Sequence, residues 1–310
     1  MAASCGSSPT QPPPPPALAI TCPSNVDVQS IDGAPVQISF EAPHSSGGVA
    51  PVNTSCTAQS GPFAVGSTGV TCQASDARGQ RASCSFLIAV RPPPRLRFTR
   101  FLSFGDSLTA GEVSFGPTLR VYLPNDSYPA ALQRRLAARY TFQSPAVINE
   151  GLGGETTADG YRRIRTVLQR HRPDVLLLME GTNDLLDRPD IGRGADAAIE
   201  ELRRMVQEAK SLGIQVCLAT VPPQRPGGRR DLVAKLIPSF NDRIRTLATA
   251  ENAVLVDVYD AMKDDLSLIG VDDLHPTIRG YDVMAGVFFE AIKRSFEESS
   301  VSLTARLRMP

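Results

Sequence analysis

The sequence predicts two folds in tandem, a small all-β sandwich followed by a larger α/β domain whose parallel sheet is covered by helices on both faces. Three observations predict it. Residues 18–91 alternate apolar and polar side chains and nowhere show a helical period. From residue 97 onward, apolar runs of strand length alternate with amphipathic helical stretches. Between the two patterns stands Arg91-Pro-Pro-Pro-Arg95, a stiff linker.

Length and composition are compatible with this division. A chain of 310 residues holds one large domain or two modest ones. Apolar residues make up 42% and charged residues 21%, the balance of a soluble globular protein. The 32 basic and 32 acidic residues cancel, so neither nucleic acid nor an anionic membrane surface is favoured as partner. No apolar run approaches the ~20 residues that span a bilayer, so no transmembrane segment is expected. The run Val175 to Met179 has the length of a buried strand.

Residues 1–17 are low in complexity and end in the run Pro12 to Pro16, which favours an extended spacer. Ala2-Ala3-Ser4-Cys5 resembles the end of a bacterial lipoprotein signal, whose cysteine becomes lipidated. A lipid anchor at Cys5 and a disordered tail with an incidental thiol both fit this stretch. In the β segment, Val36, Ile38 and Phe40 alternate with polar residues, as do Val70, Cys72 and Ala74, and then Cys84, Phe86, Ile88 and Val90. Glycine and proline punctuate these strands at Gly33, Gly47-Gly48, Gly61-Pro62 and Gly66. His44 reads as an exposed loop residue.

Cys22, Cys56, Cys72 and Cys84 crowd into this segment, whereas Cys5 and Cys217 stand alone. A zinc site would show closely spaced C-x2-4-C pairs, and there are none, so two disulfides in an oxidising compartment are expected. Three pairings satisfy four cysteines. We take Cys22 with Cys84 and Cys56 with Cys72 as the expectation. The stretch CTAQSGPFAVGSTGVTCQASDARGQRASCSFLIAV resembles the hyalin-repeat (HYR) family of extracellular immunoglobulin-like modules. That resemblance implies a spacing or accessory module without chemistry of its own, in a secreted, cell-surface or periplasmic bacterial protein.

In the second domain, strands are expected at 98–104, 146–149, 174–180, 214–221 and 254–258. Helices are expected at 128–139, 157–169 and 195–212, after Asp231, and at 277–296. The 195–212 helix carries Ile199, Leu202, Val206 and Ala209 on one stripe and stops at Gly213. The last helix turns Ile278, Tyr281, Ala285, Phe288 and Ile292 inward. Cys217 lies within a strand and reads as a small buried apolar residue.

Active sites of such sheets form at the carboxyl ends of the strands. After the first strand comes Phe104-Gly105-Asp106-Ser107-Leu108-Thr109, where Ser107 taken alone would be a helix cap. Three further segments give it another meaning. Residues 149–156, NEGLGGET, hold three glycines whose backbone N–H groups lie open to a ligand oxygen. Gly181-Thr182-Asn183-Asp184 offers a side-chain amide, and Asp272-Asp273-Leu274-His275-Pro276 supplies a base with a carboxylate. A nucleophile, oxyanion donors, a base and its acid are what acyl transfer needs. His44 is in the other domain and His171 precedes a strand at its amino end, which leaves His275 as the base.

FGDSLT, GLGGETT, GTND and DDLHP resemble, in order, the four blocks of the SGNH (GDSL) hydrolase family, over residues 97 to 296. The resemblance implies a flavodoxin-like SGNH-hydrolase fold and a carboxylic ester hydrolase that needs no cofactor or metal. It implies Ser107 as nucleophile, Asp272 and His275 as the rest of the triad, and an oxyanion hole from Ser107 N–H, Gly154 N–H and the Asn183 amide. Asp273 stands where many members have glycine. Residues three apart on a helical turn share a face, which favours Asp272 as the partner of His275. Asp106 and Asp184 are expected to hold loops through nearby N–H groups. A neutral imidazole base implies activity that declines below about pH 6 to 7.

The expected substrate is a small or soluble ester, because the loops at 115–126 and 222–230 lack the long apolar helical lid of an interfacial lipase. Thioesterase, lysophospholipase and carbohydrate O-acetylesterase share the constellation, and a surface adhesion protein with a vestigial hydrolase fold is the rival from another class. The expected division is a tail at 1–17, the immunoglobulin-like sandwich at 18–91, a linker at 92–96, the hydrolase at 97–297 and a tail at 298–310.

Overall fold

Alternation over residues 19–91 folds into eight strands: β1 (Ala19–Thr21), β2 (Val26–Gln29), β3 (Val36–Ile38), β4 (His44–Ser46), β5 (Asn53–Cys56), β6 (Gly61–Phe63), β7 (Gly66–Ser75) and β8 (Arg81–Arg91). The computed structural model describes residues 16–116, 118–185 and 191–298. Cys5, the rest of residues 1–15 and the tail from 299 therefore lie outside the described residues. The chain separates into two compact units at Pro93 and Pro94.

In the first unit a four-stranded sheet runs β2-β8-β7-β5, with β3–β6 and β1–β4 as two further pairs. Val70, Cys72, Phe86, Ile88 and Val90 from the long β7–β8 hairpin meet Ile38 and Phe63 from the β3–β6 pair in one core. So few buried side chains give a marginal domain. Cys22–Cys84 and Cys56–Cys72 tie it covalently, in the pairing expected above. His44 is exposed, but it opens β4 instead of lying in a loop.

The second unit is built on a parallel sheet of β9 (Arg100–Gly105), β12 (Ala146–Gly151), β13 (Val175–Met179), β14 (Gln215–Ala219) and β15 (Val254–Val256). Its order is β12-β9-β13-β14-β15. Numbered along the chain this is 2-1-3-4-5, the flavodoxin-like order, with the switch point at the first strand. Successive residues face opposite sides: Phe101, Leu177 and Cys217 enter one apolar core, and Leu102, Leu176 and Leu218 enter another. Both faces are thus dry, which is why the strands are apolar runs without polar alternation.

Helices α2 (Tyr128–Arg139), α7 (Val258–Met262) and α8 (Ile278–Phe296) cover the first face. Tyr128 stacks on Phe288 across α2 and α8, with ring centroids 4.7 Å apart. Helices α3 (Thr157–His171), α4 (Ile191–Ser211), α5 (Asp231–Ala234) and α6 (Ile237–Ala250) cover the second. Cys217 is a free, buried thiol, and burial pushes it up to about 12.

Four local expectations change. The 115–126 segment is half of a hairpin, β10 (Glu112–Ser114) antiparallel to β11 (Arg120–Tyr122). The fifth strand ends at Val256, because Asp257 caps α7 through the Asp260 N–H. Two helices, α5 and α6, follow residue 230. Ile278 is 48% exposed, whereas Tyr281, Ala285, Phe288 and Ile292 are buried. The first turn of α8 packs instead through Gly280, where a Cβ would strike the Leu268 carbonyl oxygen.

Removing the Cys22–Cys84 bridge, which closes a 62-residue separation, is expected to cost the N-terminal unit about 2–5 kcal/mol. Urea unfolding of the Cys22→Ala/Cys84→Ala protein, followed by a probe in that unit, measures the loss.

Candidate active site

Gly105 ends β9 at a point of close approach, since a Cβ there would collide with the Met179 carbonyl oxygen and Thr109 Oγ1. Its role is steric room; its φ is ordinary. Asp106 follows as the N-cap of α1 (Ser107–Ala110), its Oδ1 accepting the Leu108 N–H at 2.9 Å. Asp106 therefore takes the capping role that Ser107 alone would suggest, and the serine hydroxyl is left for another partner. Gly111, at φ +91°, closes the turn.

That partner is His275. Ser107 Oγ lies 2.9 Å from His275 Nε2, and His275 Nδ1 lies 2.6 Å from Asp272 Oδ2. The histidine is almost fully buried. With Nδ1 carrying the proton toward Asp272, Nε2 presents a lone pair to the serine hydroxyl. A hydroxyl, an imidazole and a carboxylate in series can draw the proton from the oxygen as it attacks a carbonyl.

Asp272 lies in a turn before α8, not on a helix, and its Oδ1 accepts the backbone N–H groups of Leu274 at 3.2 Å and His275 at 3.0 Å. Burial opposes its ionisation, but the His275 ring and these N–H donors outweigh burial and hold its carboxyl well below the usual carboxylate range. Asp273 adopts φ +67° and faces elsewhere. Its carboxylate accepts Arg225 Nε at 3.0 Å and the Arg229 N–H at 3.1 Å, which fastens the 222–230 loop.

Gly154, at φ +77°, lies in the glycine loop after β12, where a Cβ would meet nothing within 4 Å. No acceptor among the described residues takes its N–H or that of Ser107. Asn183 Nδ2 donates to the Glu155 carbonyl at 2.8 Å, and its other hydrogen faces Asp106 Oδ2 at 3.4 Å. Asp184 accepts the Thr157 N–H and hydroxyl, joining the asparagine loop to the start of α3. Beneath lies a buried acid cluster. Glu155 pairs with Arg163, while burial first and Glu155 second push Glu180 well above the carboxylate range. His171 pairs with Glu150 at 2.7 Å and has no contact with Ser107 among the described residues.

Sequence reasoning passed over Glu112, whose Oε1 lies 3.8 Å from His275 Nε2 and 3.3 Å from Arg120 Nε. Its only signal was position, five residues after Ser107 and just ahead of the 115–126 segment that reads as a loop. A cavity of about 710 Å³ lined by Phe98, Leu168 and Ile214 lies at the opposite edge of the sheet, with none of these residues on its wall.

A model of the family described as GDSL-like lipase/acylhydrolase matches residues 103–283, and one described as HYR domain matches residues 10–90. The chain belongs to the GDSL-like lipase/acylhydrolase family. It is similar to an acetylxylan esterase of Geobacillus stearothermophilus, 26% identical over 211 residues that cover 62% of this chain and 93% of that protein. An arylesterase of Vibrio mimicus is 29% identical over 144 residues, 46% of this chain and 64% of that one. Among solved structures, a lipase/acylhydrolase from Enterococcus faecalis is 26% identical with a TM-score of 0.54, covering 64% of this chain and 97% of its own. A carbohydrate acetylesterase from Sinorhizobium meliloti, 19% identical at a TM-score of 0.54, shares the fold. This GDSL-type chain is a carboxylic ester hydrolase carrying an HYR domain. Its two disulfides and its extracellular-type module are features of a secreted or surface protein.

Asp106 is fully buried and pushed up to about 7, by burial first and then by the Asp184 and Glu155 charges, against the Leu108 N–H. The folded protein holds a proton that the unfolded chain releases near pH 4. The resulting stability is complete below about pH 4 and is lost as pH rises through about 7. Asp106→Asn keeps a capping oxygen and removes the titration. Its melting temperature should vary less between pH 4 and 8 than the parent's, as scanning fluorimetry would show.

Proposed function

We propose that the C-terminal unit hydrolyses small, soluble carboxylic esters, acetyl esters foremost, by two-step acyl transfer through Ser107. The observation that carries this reading is the unbroken series Ser107 Oγ, His275 and Asp272 at 2.9 and 2.6 Å. Neutral His275 takes the serine proton as Oγ attacks the carbonyl carbon, and Asp272 fixes the tautomer and faces the imidazolium that forms. The N–H groups of Ser107 and Gly154 and the Asn183 amide meet the oxyanion. Asn183 gives up only the long 3.4 Å contact to Asp106 to do so. The proton on Nε2 passes to the leaving alcohol, and water then releases the acyl group.

Acetylated carbohydrate stands first among such esters, because a relative matched over 93% of its own length is an acetylxylan esterase. Among the described residues, the hairpin and the Asp273-fastened loop carry no long apolar helix of the kind that lids an interfacial lipase. Lysophospholipid and thioester substrates come after these. A vestigial site in a surface adhesion protein would be expected to lack one of these groups, and the chain retains Ser107, Gly154, Asn183, Asp272 and His275. Export from a bacterial cell, with Cys5 as a lipid anchor, belongs to the same reading.

Ser107→Ala is expected to lose at least ~10³ in rate on p-nitrophenyl acetate, and Asn183→Ala ~10² to 10³. Near-parental hydrolysis by the serine variant, or failure of a fluorophosphonate probe to label Ser107 in the parent, would refute the reading. Across acetyl, butyryl and octanoyl esters kcat/KM should fall with chain length, and acetylated xylooligosaccharides should release acetate.

A further inference from the structure

The ring of His275 has two working edges. Asp272 fills the Nδ1 edge, while the Nε2 edge faces both Ser107 Oγ at 2.9 Å and Glu112 Oε1 at 3.8 Å. A carboxylate at that second position has no part in the steps given above. It is also costly to keep, because the Glu112 side chain is only 9% exposed and Arg120, the cation it pairs with, is half exposed.

The chain nonetheless fixes it firmly. Glu112 opens β10 opposite Tyr122 of β11, and Arg120 reaches its Oε1 from two residues away on that strand. The Tyr281 hydroxyl of α8 donates to the Glu112 carbonyl at 2.7 Å, which ties the hairpin to the helix that follows His275. On the other side stands Gly153, where a Cβ would strike the Tyr122 hydroxyl and come within 3.6 Å of Glu112 Oε2. The carboxylate is thus held between the base and the glycine loop, on the side where the second reactant must approach.

We propose that Glu112 positions the hydrolytic water for release of the acyl group, an inference that rests on Ser107 as nucleophile. Nε2 and Oε1 are 3.8 Å apart, too far for a direct hydrogen bond. One water oxygen can lie about 2.8 Å from both and donate one hydrogen to each. In the first half-reaction the serine proton moves to Nε2, the Oγ–carbon bond forms, the carbon–alkoxy bond breaks, and the proton leaves with the alcohol. In the second, the water gives one proton to Nε2 while its oxygen bonds to the acyl carbon. The Oγ–carbon bond then breaks and the proton returns from Nε2 to Oγ. Glu112 accepts the other water hydrogen as a hydrogen bond throughout and takes no proton. With Nε2 it gives the water two fixed contacts, which orient its oxygen for attack.

The test separates the two half-reactions in the full-length chain, with p-nitrophenyl acetate as substrate. In Glu112→Gln, kcat should fall about tenfold while kcat/KM, which reports only steps through acylation, stays within about twofold. A burst of p-nitrophenol equal to the enzyme concentration should precede the slow steady state, and quenched samples should carry one acetyl group on Ser107 by mass spectrometry. Fluorophosphonate labelling of Ser107 checks that the variant is folded. Should it fail to label, Glu112→Asp carries the same measurement with a shortened side chain. Unchanged kcat, or kcat and kcat/KM depressed together with no burst and no acetyl adduct, would overturn the proposal. Failure of the Ser107 reading shows separately, as parental turnover by Ser107→Ala.

Discussion

The register of β9 against its two neighbours, with Gly105 beside Gly151 on one side and beside Met179 on the other, sets where three loops begin. Because the strands are parallel and end level, the serine turn, the glycine loop and the asparagine loop leave the sheet at one edge. A slip of one residue in either pairing would exchange the faces of a whole strand and move its loop along the edge. The register is held by two dry cores, one on each face, so either face alone would resist the slip. Gly105 is the contact at which these requirements meet, since a side chain there would push β13 away.

Around that edge the protein concentrates carboxylates. Asp106, Glu112, Glu155, Glu180, Asp184 and Asp272 lie within a few contacts of one another, with Arg163 and Arg120 as their main cations. The environments divide them by function. Asp272 receives enough N–H donors to stay ionised beside an imidazolium, whereas Glu180 and Asp106 are driven toward the neutral form by burial. Arg163 also lies over the Phe104 ring, 3.9 Å from its centroid, so one cation braces both the acid cluster and the strand beneath Ser107.

Much of this was legible in the residues themselves. The five strands of the sheet are short apolar runs because both faces are buried, and α4 announces itself by the stripe of Ile199, Leu202, Val206 and Ala209 that enters the second core. Four sequence segments supply the groups that meet at this candidate site. What the sequence hid was set by tertiary contact. Residues 112–122 have no strong strand pattern, and their hairpin exists because it packs on Gly153 and Tyr281. Asp272 and Asp273 look alike in one dimension. They differ only because Asp273 takes a left-handed backbone and points to Arg225, while Asp272 gathers the N–H groups of its own turn.

The buried thiol of Cys217 has a bearing on how the chain survives oxidation. Four cysteines of the N-terminal unit must form two bridges while Cys217 is present in the same molecule. Only a thiolate attacks a disulfide, and a thiol pushed up to about 12 in the middle of β14 supplies almost none at neutral pH. Closure of the sheet therefore acts as chemical quarantine: once β14 is sealed, Cys217 can neither reshuffle the bridges of the N-terminal unit nor be claimed by them.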